Sequence, residues 1–83
     1  MELMKVLQEH EHWINSFGKT GKRACLIRAD LIKANLTIAD LRGADLSRAH
    51  LNRANLRGAN LRGADLMQTD LRRANLGGTN LRG

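Results

Sequence analysis

Residues 54–66 read ANLRGANLRGADL, with leucine at positions 56, 61 and 66. A leucine at every fifth position suits neither regular secondary structure. Five residues advance an α-helix by about 500°, so successive leucines drift by about 140° and form no stripe. On a straight strand the side-chain period is two, and an odd spacing sends successive leucines to opposite faces. What remains is a short extended piece and a bend within every five residues, repeated in the same sense, so that leucine always returns to the inside. The repeat implies a coil with corners.

Outward from this stretch the pattern runs without a break. Every fifth residue from Leu26 to Leu81 is leucine, giving 12 pentads over residues 24–83. Alanine stands two places before each leucine, except at Thr69 and Thr79, and Asp or Asn stands directly before it, except at Cys25 and His50. The motif is A(D/N)LXX. In an extended piece, positions two apart share a face, so alanine and leucine point inward together while Asp or Asn points out. The two variable residues form the corner. The expected core is therefore Leu26, Leu31, Leu36, Leu41, Leu46, Leu51, Leu56, Leu61, Leu66, Leu71 and Leu76.

The variable positions give the number of sides. For the residue two after each leucine, 5 of 8 pairs are identical at a lag of 20, against 2 of 9 at 15, 3 of 7 at 25 and none of 10 at 10. Residues stacked on one corner share an environment, so a lag of 20 favours four pentads per circuit and three circuits. The same lag places Arg42, Arg62 and Arg82 in one column and Lys33, Arg53 and Arg73 in another, with Arg57 and Arg72 nearby.

The chain changes character near Gly21, which divides an N-terminal segment, 1–23, from the repeats, 24–83. Leu3, Leu7, His10, Ile14 and Phe17 follow helical spacing, flanked by Val6 and Trp13. One amphipathic helix is expected, ending at Gly18. Aromatic residues make up only 2% of the chain, and proline and tyrosine are absent, so leucine and alanine must fill the interior. A lone cysteine, Cys25, excludes an internal disulfide framework and fits a reducing compartment. The start, MELMKVLQEHE, lacks the long apolar segment of a signal peptide, and no apolar run approaches the roughly 20 residues of a membrane span. A cytoplasmic location is expected.

The run from ACLIRADLIKANL to TNLRG resembles the pentapeptide repeat proteins. That resemblance implies an all-β solenoid, a right-handed quadrilateral parallel β-helix with the central leucine and the alanine two before it packed inside. The segment before it, with its H..W..S.G..G.RA.L pattern (His10, Trp13, Ser16, Gly18, Gly21), is similar to a lead-in found before such repeats. Physics suits the fold to this length. Circuits about 4.8 Å apart make a stack about 15 Å tall, and about three repeats are the practical minimum for stacking units that bury leucine only against their neighbours.

An end circuit exposes leucines and unpaired backbone groups, so it needs a cover. The helix carrying Leu7, Trp13, Ile14 and Phe17 is the expected N-terminal lid. The last residues, Leu81, Arg82 and Gly83, remain in motif register. Two explanations stay open: repeats that continue in a longer chain, or an end that stacks on a second copy in a two-fold dimer. The candidate oligomer interface is Arg72, Leu76, Thr79, Leu81 and Arg82. Thr69 and Thr79 mark either a looser end or a tolerated hydroxyl bonded to a carbonyl.

No catalytic constellation is visible. Cys25 and His50 occupy outward positions on adjacent sides and different circuits. His10 and His12 are two apart on a helix and do not share a face, which argues against a metal site. Asp30, Asp40, Asp45, Asp65 and Asp70 recur at the repeat position and read as scaffold residues bonding local backbone. No cofactor or small-molecule substrate is expected.

Charge carries the remaining functional content. The repeats hold ten Lys or Arg against five Asp, or +5 of the chain's +6. The candidate partner-binding residues are Arg42, Arg62, Arg82, Lys33, Arg53 and Arg73, unless arginine here only keeps the surface soluble. An acidic partner suits this surface. Nucleic acid suits it less, since the repeats contain no aromatic residue for base stacking. Some proteins of the resembled family mimic DNA and bind gyrase through acidic rods; here the charge sign is opposite. The expected function is a non-enzymatic interaction or self-assembly module, with a regulator that binds an acidic protein or nucleic acid as the alternative.

Overall fold

In the computed structural model, which describes residues 2–82, pentads meet one another at intervals of 20 residues. Parallel bridges run Cys25–Asp45–Asp65, Asp30–His50–Asp70, Asn35–Asn55–Asn75 and Asp40–Asn60–Asn80. Each bridge is one residue long, because a turn follows the next leucine at once. The leucine carbonyl accepts from the N–H three residues on, as from Ala29 to Leu26 at 3.1 Å. Among the described residues, the one two after leucine has positive φ at each corner from Arg28, at 59°, to Gly78, at 68°. A β-turn whose third residue alone has positive φ is a type II turn.

The motif follows from where the backbone donors go. Residues 44–48 show it: Ala44 N–H closes the turn on Leu41 O at 3.0 Å, and Asp45 N–H reaches back to Ala24 O at 3.0 Å. Leu46 and Arg48 N–H reach forward to Asp65 O and Met67 O, both at 2.8 Å. That leaves Ser47 N–H with no backbone partner, and the Asp45 carboxylate accepts it at 3.1 Å. The fifth donor is why Asp or Asn precedes leucine. The same bond recurs at Asp30, Asn35, Asp40, Asn55, Asn60, Asp65, Asp70, Asn75 and Asn80.

Leucines 26 to 61 are all 2% exposed or less. Leu66, Leu71 and Leu76 are half-buried against this core. The threonines at alanine positions turn their hydroxyls onto leucine carbonyls 23 residues earlier: Thr69 Oγ1 donates to Leu46 O at 2.8 Å and Thr79 Oγ1 to Leu56 O at 2.7 Å.

Helix α1 (Leu3–Asn15) lays Leu3, Val6 and Leu7 against the leucine core and buries His10. Trp13 lies over Gly43, where an added Cβ would sit 3.4 Å from the indole. Two bonds close the helix, Gly18 N–H to Trp13 O at 2.8 Å and Phe17 N–H to Ile14 O at 3.1 Å, the pattern of a Schellman motif. Its left-handed residue is Phe17, at φ 57°, one place earlier than the glycine the sequence suggests. That reversal corrects the expected lid. Leu7 meets the core and Trp13 and Ile14 are half-buried, but Phe17 is 94% exposed because the chain turns it away from the helix face.

Candidate functional site

The four corners differ, and one of them gathers chemistry. The corner after Leu31, Leu51 and Leu71 stacks Ile32, Asn52 and Arg72 beside Lys33, Arg53 and Arg73. Register is set by the ladder: Lys33 N–H donates to Asn52 O at 3.0 Å and Arg53 N–H to Arg72 O at 2.9 Å. A shallow basin of about 580 Å³ opens here, lined by Ile32, His50, Asn52, Arg53, Asp70, Arg72 and Arg73. Its floor is tied: Asn52 Nδ2 donates to Asp70 Oδ2 at 2.8 Å, and the Arg72 guanidinium pairs with Asp70 at 2.7 Å. The Arg72 bond, followed by that from Asn52, holds the Asp70 carboxyl well below the usual carboxylate range.

The second basic column, Arg42, Arg62 and Arg82, lies at the corner after Leu41, Leu61 and Leu81. Gly43 N–H to Arg62 O and Gly63 N–H to Arg82 O, both at 2.9 Å, align it. Arg42 is not a free cation. It pairs with Asp40 at 2.6 Å, which lowers the Asp40 pKa and raises that of Arg42. Among the described residues, Lys33, Arg53, Arg62, Arg73 and Arg82 form no ion pair. Ladder geometry thus brings Lys33, Arg53 and Arg73 together and Arg42, Arg62 and Arg82 together, at separate corners.

The interface candidates all lie in the last circuit: the Arg72 side chain is exposed, Thr79 Oγ1 donates to Leu56 O, Leu76 is half-buried, Leu81 is 49% exposed and Arg82 is exposed. Cys25 is exposed and faces Asp45 across a bridge, and His50 is exposed between Asp30 and Asp70. Among the described residues no group of three His, Cys, Asp or Glu is placed to hold a metal ion. Among the described residues no helix is long and apolar enough to cross a membrane.

The contact that sequence reading missed is His10. Its Nδ1 accepts the Ala24 N–H at 2.9 Å, and its Nε2 lies 2.8 Å from Arg42 O. The available signal was a polar residue in the inward stripe of the helix, three places before Trp13, whose ring stacks on it at 5.4 Å.

Comparison with known proteins bears on the repeats. A family profile described as pentapeptide repeats matches in 8 copies, over residues 24–63 and 49–83. No curated protein matches. Among solved structures, the chain is similar to a pentapeptide repeat protein, Rfr23, of the cyanobacterium Cyanothece 51142, at 44% identity and a TM-score of 0.61, covering 69% of this chain and 37% of that one. It also matches HetL of Nostoc sp. strain PCC 7120, a pentapeptide repeat protein involved in heterocyst differentiation regulation, at 41% identity and a TM-score of 0.49, over 69% of this chain and 30% of HetL. A third match is the pentapeptide repeat protein alr5209 of Nostoc PCC 7120, at 33% identity and a TM-score of 0.39, over 90% of this chain and 74% of that one. The chain thus spans about a third of the length of the first two.

Proposed function

The chain belongs to the pentapeptide repeat family, and from that premise we propose that it is a non-enzymatic scaffold working through its outer walls and its C-terminal face. Residues 24–83 form three circuits of a right-handed quadrilateral β-helix, and residues 1–23 are its N-terminal cap. The scaffold works in the cytoplasm, where the exposed Cys25 thiol stays reduced. Burial along the stack carries this reading. Leu26, Leu31, Leu36 and Leu41, beside α1, are closed to solvent, whereas Leu66, Leu71 and Leu76 are half-buried and Leu81 is 49% exposed. Apolar groups and open backbone edges favour stacking on a like surface, and a second copy supplies one through a two-fold axis. Light scattering on the full chain at two salt concentrations tests it. A dimer mass at both, reduced to a monomer mass by L76E/L81E, is the expected result. A monomer mass for the native chain at every concentration overturns it.

One observation favours a second reading. Lys33, Arg53 and Arg73 stand in register with no ion pair among the described residues, beside a basin open to solvent. Like charges about 5 Å apart repel, and an extended acidic partner would relieve that repulsion. The measurement is the affinity for poly-glutamate across a salt series, for the native chain and K33E/R53E/R73E. Binding that weakens with salt and is lost in the variant supports the regulator, and unchanged binding removes it.

A further inference from the structure

One polar side chain joins α1 to the repeats. His10 is 0% exposed, and its two ring nitrogens meet two backbone groups: Nδ1 takes the Ala24 N–H at 2.9 Å and Nε2 faces Arg42 O at 2.8 Å. An amide N–H only donates and a carbonyl only accepts. Both contacts therefore hold together only for the neutral ring with its proton on Nε2. A protonated imidazole has no acceptor left, so its Nδ1–H would confront the Ala24 N–H in a site closed to water. Ala24 is the first residue of the first pentad, and Arg42 sits at the last corner of the first circuit. The ring thus ties the helix to the start and the close of that circuit.

We propose that His10 is a pH-sensitive latch, whose protonation in mild acid releases α1 and uncovers Leu26, Leu31, Leu36 and Leu41. The inference rests on the reading of α1 as the N-terminal cap. Charged groups face the ring from both packed elements: Arg23 from the segment after the helix, and Asp40 and Arg42 from the repeats. Asp40 favours the imidazolium, but it is already paired with Arg42 at 2.6 Å, and both arginines oppose a second cation. Burial outweighs the rest and lowers the His10 pKa from 6.5.

The direction follows. The open state binds the extra proton, so latch stability is complete above about pH 6.5 and is lost as pH falls from there through the depressed folded-state pKa. Within that interval the opening constant rises up to about tenfold per pH unit.

Trp13, the sole tryptophan, stacks on the ring and reports its state. The test is a titration of the full chain from about pH 7.5 to 5, following Trp13 emission and hydrogen exchange at Ala24 and in α1, corrected for the intrinsic pH dependence of exchange. Three proteins are compared: the native chain, H10Q, whose amide offers an acceptor and a donor at every pH, and H12N/H50N, which removes the other two histidines. The native chain and H12N/H50N should show Ala24 and α1 exchange that speeds up below about pH 6.5, by up to about tenfold per pH unit, with Trp13 emission altered, and H10Q should not. NMR of the His10 ring gives a readout that needs no variant, since ring titration and helix release must share a midpoint. A ring that titrates while exchange stays constant overturns the latch, as does a transition that survives in H10Q. Unprotected Ala24 and α1 amides at pH 7.5 would instead overturn the cap.

Discussion

Ile38 holds φ at 60° with its side chain 77% exposed. A β-branched residue enters the left-handed region at a cost of about 1–2 kcal/mol, and little packing offsets it. The neighbouring layers put glycine in the same column, at Gly58 and Gly78. I38G should therefore stabilise the fold by about 0.5–1 kcal/mol, after the extra chain entropy of glycine is subtracted; a urea midpoint that does not rise would count against the strain. His50 poses the opposite case. It and Cys25 stand where ten other pentads place an acceptor for the N–H two residues on. H50N restores that acceptor to Asn52 and should add about 1 kcal/mol, read from the same urea series. Both exceptions are visible in the sequence because the motif is regular. Their cost becomes visible only with the corner φ and the donor accounting, neither of which a residue pattern contains.

At the scale of elements, α1 and the first circuit meet through tightly fitted backbone. A Cβ added at Gly21, at φ +73°, would lie 2.5 Å from Glu9 O and 2.7 Å from Trp13 N. Neither atom belongs to a flexible side chain, so the helix itself would have to move. G21A should lose the Lys22 N–H to Glu9 O bond, now 3.1 Å, and destabilise the protein by more than about 1 kcal/mol. The check is a lower urea midpoint together with altered Trp13 emission in the folded baseline. Helical spacing placed Leu3 and Leu7 on the inward stripe with Val6 flanking it, and all three meet the core. The same spacing failed at Phe17, because helical periodicity ends at Asn15 and the following reversal obeys turn geometry. It also hid the role of His10, which satisfies backbone donors and acceptors supplied 14 and 32 residues away.

Across the whole molecule, inward positions and corners follow different periods, five and twenty residues. Adding residues therefore has separable effects on core and surface. Duplicating residues 44–63 inserts 20 positions, so every column keeps its members, and each leucine of the new circuit is buried on both faces. Stability in stacked repeats grows with each added interface, and the denaturant slope grows with the area exposed on unfolding. Both the urea midpoint and the slope should rise. Duplicating only residues 49–53 keeps every leucine inward but turns all later pentads by one corner. Arg73 then leaves the column of Lys33 and Arg53, and Arg62 and Arg82 together leave that of Arg42. If the ladder bonds and leucine burial hold the fold, this second protein should have an unfolding free energy, read from urea titration, within about 1 kcal/mol of the original, because no backbone donor or acceptor in the pentad depends on which corner it occupies. Its affinity for poly-glutamate should fall if the aligned column is the binding surface, and rise slightly with the one added arginine if only net charge matters. Unfolding of the five-residue duplication would show that corner identity itself, and not the pentad, holds the stack together.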